Sequence, residues 1–182
     1  MRIRPGDCVV SLPSCADPRF KNSVIMICQH SADGTFGVVL NRSTDLTVDD
    51  VMIEDEINLR FPMYLGGPVA PSSVWMLHSA EWSMNNTQHI TEYLSYTSHS
   101  AMFGHLQDQD APRYLRLFLG YTGWAPGQLA GEIKGEHPWT PKHSWMILKQ
   151  PDPEFIWETD PEDMWRDACE IIGNQTTSTW LA

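Results

Sequence analysis

Cys28 and His30 are the pair of residues best suited to catalysis by residue type. A strand over Val24–His30 would place both side chains on one face. A histidine beside a cysteine can take its proton and convert the thiol into a nucleophile. A working site of this kind also needs a third group that orients the histidine, and the sequence identifies none. Two such residues also fall on one strand face by chance. A Cys–His nucleophile and two unrelated structural residues therefore both stay open.

The seven histidines and four cysteines show no spacing that is typical of a metal site. The pairs His99/His105 and His137/His143 fit neither one face of a helix nor a zinc clasp, and there is no C-x-x-C motif. Neither a G-x-S-x-G elbow nor an H-E-x-x-H helix occurs. The sequence therefore predicts no metal and no cofactor, favours free cysteine thiols, and specifies no reaction.

A glycine-rich turn in the stretch Tyr114–Lys134 is a candidate for phosphate binding. A strand with alternating leucines leads there into Gly120, Gly123 and Gly127, and a helix follows. Backbone N–H groups at such a turn suit an anion. The glycine spacing, however, matches neither the dinucleotide pattern nor the phosphate loop, whose Lys-Ser/Thr pair is missing. We therefore interpret the glycines as a structural turn with Trp124 packed over it.

Hydrophobic periodicity predicts an α+β protein with antiparallel hairpins and late helices. Strands are predicted at Asp7–Leu12, Val24–His30, Thr35–Leu40, Leu59–Leu65, Val74–Ser79, Glu92–Thr97, Leu115–Leu119 and Ser144–Lys149. Helices are predicted at Thr47–Glu56, His99–Leu106, Pro126–Lys134 and Pro161–Ile172, the last one ended by Gly173. Pro62 implies an edge strand or a bulge. His78 is predicted to be half-buried.

The composition favours one folded domain that does not bind nucleic acid directly. The chain has 182 residues, 42% of them hydrophobic, and a formal charge of −11, so its surface repels phosphate backbones. No apolar run is long enough for a membrane span, and no signal peptide is recognisable. We expect a cytoplasmic protein with a single domain over residues 1–182, a core from about 7 to 173 and a polar tail over 174–182.

Six short motifs, in a fixed order, resemble those of the YqgE/AlgH family of bacterial proteins. They are Asp17–Phe20 (DPRF), His30–Arg42 (HSADGTFGVVLNR), Tyr64–Val69 (YLGGPV), Leu77–Ser79 (LHS), Gly120–Ile133 (GYTGWAPGQLAGEI) and Pro161–Arg166 (PEDMWR). The resemblance covers Asp17 to Gly173. It is interrupted between Ala80 and Asp110, where the family's Gly-Leu and Thr-Thr-Ser pattern is replaced.

The resemblance implies an α+β fold with a bent, mostly antiparallel, partly barrel-like sheet and flanking helices. The family is largely uncharacterised, and the name AlgH implies a regulator of alginate production, without an established DNA-binding module. Our leading hypothesis is a non-enzymatic, AlgH-like cytoplasmic protein that acts through protein partners, in the manner of a transcriptional regulator. Oligomeric state, partner and host stay open.

The alternative is a small-molecule binder or an unrecognised enzyme with a site at the strand ends. The matching motifs place polar groups and glycines there, where loops build sites. The candidate binding residues are Asn41, Arg42, Gly66, Gly67, His78 and Trp124. Turns need these residue types too, so the same six residues could instead hold the turns together.

Overall fold

A computed structural model describes residues 2–15, 17–52, 59–136 and 145–180, with side chains up to 175. The described chain contains ten strands. They are β1 (Cys8–Ser11), β2 (Val24–Ser31), β3 (Gly34–Val39), β4 (Ser43–Thr47), β5 (Pro62–Leu65), β6 (Val69–Ser79), β7 (Gln88–His89), β8 (Leu94–Thr97), β9 (Leu115–Trp124) and β10 (Trp145–Leu148).

Five helices accompany these strands in the described residues. They are α1 (Val48–Val51), α2 (Met102–Gln107), α3 (Gln128–Lys134), α4 (Pro153–Glu158) and α5 (Pro161–Trp180). None of the described helices is long and apolar enough to cross a membrane. All strand pairs with a defined register are antiparallel except β5–β9, which confirms the predicted α+β class with a mostly antiparallel sheet.

The chain forms two compact units, which we call unit one (residues 1–41 and 123–182) and unit two (residues 42–122). In unit one the strand order is β10-β1-β2-β3, followed by β9, whose last two residues belong to this unit. Val9 lies opposite both Ile25 and Ile147, so the three side chains share one face. Trp124 and Leu129 belong to the same buried cluster. The predicted single-domain boundaries stay a prediction.

Unit two has the strand order β4-β5-β9-β6-β8-β7. Its core gathers side chains from these strands, from α1 and α2, and from the loops before β5 and after β6: Val48, Leu59, Met63, Met76, Trp82, Met102, Phe103, Leu106 and Leu117. In neither unit does the order of the described strands return to its first strand. The sheet is therefore open, which fits a partly barrel-like core better than a closed barrel.

Several local predictions are confirmed. β2 and β3 form an antiparallel hairpin as predicted, and the predicted helix start at Thr47 is observed, where Thr47 and Asp50 form a capping box. β5 begins at Pro62, next to a register irregularity with β4, so the bulge interpretation holds, and the edge interpretation is wrong because β5 pairs on both sides. The predicted end of α1 falls partly on residues 53–58, which lie outside the described residues.

Other predictions are wrong, and each has a local reason. β9 does not stop at Leu119 but continues to Trp124, since Gly120 adopts φ +64° without ending the strand. Gly173 does not end α5, which continues to Trp180, because one glycine costs a helix only about 1 kcal/mol. The helix α2 starts after Ala101, later than predicted, and α4 was not predicted because its six residues are too few to show a helical periodicity.

Candidate functional site

The six predicted site residues are divided between the two units. Asn41 and Trp124 belong to unit one, and the other four belong to unit two. Within unit two, the backbone N–H of Leu65 donates to the carbonyl of Arg42, which ties Arg42 to the Gly66–Gly67 turn. His78 lies opposite Leu115, at the far end of β9 from this turn. The structure thus brings three of the four unit-two residues together.

Gly66 and Gly67 pack directly against the backbone of β9. A Cβ built on Gly67, whose φ is +153°, would lie 2.3 Å from the carbonyl of Tyr121. A Cβ on Gly66 would lie 2.4 Å from the carbonyl oxygen of Gly120. The Thr122 hydroxyl donates to the Gly66 carbonyl at 3.3 Å. These contacts need glycine for close approach of two backbones, which supports the turn-holding interpretation.

Asn41 holds the start of β2 in unit one. Its side-chain oxygen accepts a hydrogen bond from the backbone N–H of Val24 at 2.9 Å. Its amide nitrogen donates to the carbonyl of Asn22, also at 2.9 Å. Asn22 has φ +55°, a conformation that Asn tolerates better than most residues. The amide of Asn41 therefore fixes the turn that leads into β2.

Trp124 is anchored by a carboxylate that sequence reasoning did not single out. Glu132 accepts hydrogen bonds on Oε2 from the indole N–H groups of Trp124 at 3.0 Å and Trp145 at 2.7 Å. Its Oε1 accepts from the side-chain amide of Gln128 at 2.8 Å. One charged acceptor thereby joins α3, β9 and β10. The signal available in the sequence was the position of Glu132, one helical turn after Gln128.

His78 is fully buried, whereas half-burial was predicted. Its Nδ1 lies 3.0 Å from the Ser79 carbonyl, which can only accept, so Nδ1 carries the proton. Nε2 therefore accepts from the Thr97 hydroxyl at 3.0 Å. Thr97 in turn accepts from the Thr87 hydroxyl at 2.8 Å, and Thr87 accepts from the backbone N–H of Met84. The direction of every bond in this chain is fixed.

This chain, which we call the His78 relay, resembles a nucleophile and its base in outline. A neutral imidazole beside a hydroxyl is the arrangement that activates Ser or Thr in covalent catalysis. Burial lowers the pKa of His78 and keeps it neutral. His78 and Thr97 are both fully buried, however, and the Thr97 hydroxyl is occupied by Thr87. The relay therefore satisfies buried polar groups and offers no accessible nucleophile.

Cys28 and His30 do not form a pair with each other. The Cys28 thiol contacts the Met26 carbonyl, and burial raises its pKa well above the usual range. His30 Nδ1 lies 2.6 Å from the Thr35 hydroxyl, on an exposed part of β2. The register shifts between Ile27 and Gln29, which breaks the alternation on which the predicted shared face depended. All four cysteines are free thiols.

The segment that departs from the family pattern carries another histidine contact. His105 Nδ1 lies 2.7 Å from Asp110, and the Trp82 indole N–H donates to the same carboxylate at 3.0 Å. Both donors lower the pKa of Asp110. Since His105 and Asp110 are exposed, we interpret the contact as one that ties the end of α2 to Trp82. In the described residues, no group of three or more His, Cys, Asp or Glu side chains could hold a metal.

Large apolar side chains that remain exposed are the feature of unit two that sequence reasoning missed. Among the described residues they are Leu46, Leu65 and Val69, with relative exposures of 41%, 45% and 37%. They lie on β4, at the end of β5 and at the start of β6. We call these three residues the apolar edge. The alternation of apolar and polar residues could not identify them, because a sequence does not distinguish an exposed leucine from a buried one.

Comparison with known proteins identifies the family. The AlgH-like family model (DUF179) matches residues 8–177. The chain belongs to the AlgH-like family. It is 32% identical over 171 residues to a UPF0301 protein of Methylococcus capsulatus, covering 91% of this chain and 87% of that protein. It is 33% identical over 175 residues to a UPF0301 protein of Aliivibrio salmonicida, covering 91% and 89%. The predicted YqgE/AlgH resemblance is thus confirmed.

Two solved structures are similar to this AlgH-like chain. The solution structure of AlgH from Pseudomonas aeruginosa has a TM-score of 0.77 and 24% identity, covering 92% of this chain and 87% of that one. A crystal structure of a Corynebacterium diphtheriae protein has a TM-score of 0.70 and 28% identity, covering 92% and 86%. The first of these likenesses shows the fold, which agrees with the open, mostly antiparallel sheet described above.

Proposed function

We propose that this AlgH-like chain is a non-enzymatic regulatory protein of the cytoplasm that binds a protein partner through the apolar edge of unit two. The observation that carries the proposal is the position of its exposed apolar side chains. Leu46, Leu65 and Val69 are the exposed large apolar side chains of the described residues, and all three belong to unit two. An exposed apolar patch is typical of an interaction site, and the proposal requires that one partner covers these three side chains together.

The contact would be made by side chains, not by an added strand. β4 pairs only with β5 among the described strands, so its outer edge could in principle receive another strand. The backbone N–H of Leu46, however, donates to the Thr44 hydroxyl, and that of Thr47 donates to Asp50. Two donors of β4 are therefore already used within the chain. The apolar side chains remain for a partner's pocket.

The charge around the apolar edge favours a basic partner surface. Asp45 and Asp50 are exposed next to Leu46, and the chain as a whole has a formal charge of −11. Complementary charge speeds association and disfavours wrong partners. We therefore expect a protein with an apolar pocket and a Lys/Arg-rich rim, and no direct contact with DNA or RNA.

The test is affinity purification from the host with three forms of the chain. The first form is unmodified, and the second, the apolar-edge variant, carries Leu46→Ser, Leu65→Ser and Val69→Thr. The third is a control that carries Lys134→Ser and Glu136→Ser at two exposed residues of unit one. These two changes leave the net charge unchanged. A partner that fits the proposal binds the unmodified and control chains, and its binding as a purified protein weakens at least about tenfold in the apolar-edge variant.

Two results would contradict the proposal. One is a partner that binds the apolar-edge variant as tightly as the unmodified chain. The other is that no protein is retained by the unmodified chain under conditions that retain weak complexes. Because all three changed residues of the edge are exposed, we expect the variant to fold, and a urea titration of the purified chain checks this.

A further inference from the structure

The second unexplained feature lies in unit one, at the start of β1. The carboxylate of Asp7 is 1% exposed. Its Oδ2 accepts a hydrogen bond from the backbone N–H of Arg4 at 2.9 Å and an ion-pair contact from Lys149 Nζ at 2.7 Å. Its Oδ1 is buried and has no hydrogen-bond partner. Lys149 Nζ also donates to the backbone carbonyl of Arg2.

An unpartnered carboxylate oxygen in a buried position calls for an explanation, because buried acceptors are nearly always hydrogen-bonded. Asp7 cannot turn away from its position. The Ile27 N–H donates to the Asp7 carbonyl and the Gly6 N–H donates to the Ile27 carbonyl, so the backbone is locked into the ladder with β2. Oδ1 is therefore an acceptor that is held in place and closed to solvent, and a donor from outside the chain reaches it only when neighbouring side chains move aside.

Asp7 lines an open cavity of about 380 Å³, together with Arg2, Arg4, Lys149 and Gln150. This volume lies in the range of small-molecule sites. Arg2 and Arg4 are exposed, so their guanidinium groups can reorient around a ligand. Three cationic side chains against one carboxylate leave two positive charges, in a chain with only 12 Lys and Arg and a net charge of −11. The cavity is a basic site on an acidic protein.

We propose that this cavity binds a small hydroxylated phosphate monoester, with its phosphate on Arg2 and Arg4 and a neighbouring hydroxyl donating to Asp7 Oδ1. Guanidinium groups bind phosphate through paired N–H···O bonds. A phosphate monoester carries close to two negative charges at neutral pH, which matches the two excess positive charges. The carboxylate would repel a bare phosphate and accept a hydroxyl, so it selects for the organic part of the ligand.

The site is separate from the apolar edge, which lies in unit two, and either proposal can fail without the other. Sugar phosphates and nucleotides both fit the stated chemistry. Ribose 5-phosphate is the simplest probe that carries both groups. Inorganic phosphate and ribose each carry one of them.

The experiment is isothermal titration calorimetry of the full chain with these three probes. We expect saturable binding of ribose 5-phosphate, binding of inorganic phosphate that is at least about tenfold weaker, and no binding of ribose. Arg4→Gln should weaken ribose 5-phosphate at least about tenfold, since a hydrogen bond to a charged group is lost. The control Arg166→Gln, an exposed arginine on α5 paired with Asp163, should not change the affinity.

Asp7→Asn tests the selective element. We expect it to bring ribose 5-phosphate and inorganic phosphate closer in affinity, because the repulsive charge is gone. Its fold is checked by circular dichroism, and Arg4→Gln keeps the test valid if Asp7→Asn does not fold. Absence of binding for all three probes would overturn the proposal. So would equal binding of ribose 5-phosphate and inorganic phosphate by the unmodified chain, or unchanged affinity in Arg4→Gln.

Discussion

The two units bury polar groups in different ways. In unit one a charged carboxylate collects the donors: Glu132 accepts from two indoles, and Asp7 accepts from Lys149. In unit two a buried histidine is instead held by a chain of neutral groups, in which His78 accepts from Thr97. Charge-assisted hydrogen bonds are stronger than neutral ones. A hydrogen bond that a neutral histidine accepts, however, is lost when the histidine is protonated. We therefore expect the stability of unit one to depend on its carboxylate acceptors, and the stability of unit two to depend on pH.

Within each unit, the glycines differ in what an added side chain would meet. In unit two, a Cβ on Gly67 or Gly66 would lie 2.3 Å or 2.4 Å from the backbone of β9, whereas a Cβ on Gly104 would meet open space. In unit one, a Cβ on Gly37 would lie 2.3 Å from the Met26 carbonyl, whereas Gly173 and Gly127 have nothing within 4 Å. Each unit therefore has glycines that close packing requires and glycines that have room for a side chain. The following substitutions test these comparisons, starting with the largest expected effect.

Gly67→Ala should break unit two. Overpacking costs about 1–3 kcal/mol, and a side chain at the backbone conformation of Gly67 adds about 1–3 kcal/mol. We expect the free energy of unfolding to fall by about 3 kcal/mol or more in urea titration. The control in the same unit is Gly104→Ala, whose added Cβ meets open space on helix α2. It should gain about 0.5–1 kcal/mol. Equal effects of the two changes would contradict the close packing.

Glu132→Ala should break the acceptor of unit one. It leaves the indole N–H groups of Trp124 and Trp145 without a partner, and these residues are only 6% and 5% exposed. Each unsatisfied buried donor costs about 1–3 kcal/mol, so we expect a loss of about 2–4 kcal/mol. Tryptophan fluorescence during urea unfolding measures it. Glu132→Gln keeps one acceptor oxygen and should cost about half as much. Because Gln keeps the volume of Glu, equal losses in the two variants would mean that the charge of the acceptor, and not packing, accounts for the stabilisation.

Thr97→Val removes the central hydroxyl of the His78 relay without changing the shape of the side chain much. His78 and Thr87 each lose a partner, and we expect a loss of about 1–3 kcal/mol. The matched change in unit one is Thr35→Val, which breaks a similar bond, to His30. Because His30 is exposed, water can replace the hydroxyl, and the loss should be under about 1 kcal/mol. A larger loss for Thr35→Val would reverse the comparison.

The His78 relay also predicts how stability depends on pH. Burial lowers the pKa of His78 in the folded chain, whereas the unfolded chain has the ordinary value of about 6.5. Below about pH 6.5 the unfolded state binds a proton that the folded state refuses, so stability falls as pH falls. The slope from one such group is at most about 1.4 kcal/mol per pH unit. Urea titrations at two pH values measure it. The slope should shrink in His78→Gln and persist in the control His30→Gln, which changes an exposed histidine of unit one.

The parts of the fold that the sequence predicted correctly rest on neighbouring residues. Asp33 and Gly34 mark the β2–β3 turn, Thr47 and Asp50 mark the start of α1, and Pro161 marks the start of α5. In each case the signal and the structure lie within one turn of chain. Local patterns therefore predicted most of the strands, but they did not predict where β9 and α5 end. A single glycine costs a strand or helix only about 1 kcal/mol, which packing offsets.

The features that could not be predicted from the sequence are contacts between residues that are far apart along the chain. Lys149 and Asp7 are separated by 142 positions, and Gly66 reaches Thr122 across 56. No spacing rule applies over such intervals. Neither the basic cavity nor the parallel β5–β9 pair could therefore be predicted from the sequence. The six predicted site residues came from a family pattern, which marks positions without giving their contacts. The structure gives these contacts: Asn41, for example, bonds to Val24 at the start of β2, and Trp124 bonds to Glu132 of α3.

The smallest expected effect separates backbone strain from packing within unit one. Gly127 and Gly173 both have open space for a Cβ, but Gly127 has φ +75° and Gly173 lies inside helix α5. Gly173→Ala should therefore raise the free energy of unfolding by about 0.5–1 kcal/mol. Gly127→Ala should lower it by about 1–2 kcal/mol, because a left-handed backbone disfavours a side chain. Thermal unfolding of both variants gives the two signs. A loss in Gly173→Ala would mean that α5 ends before residue 173 in solution, since the gain requires a helical backbone at this position.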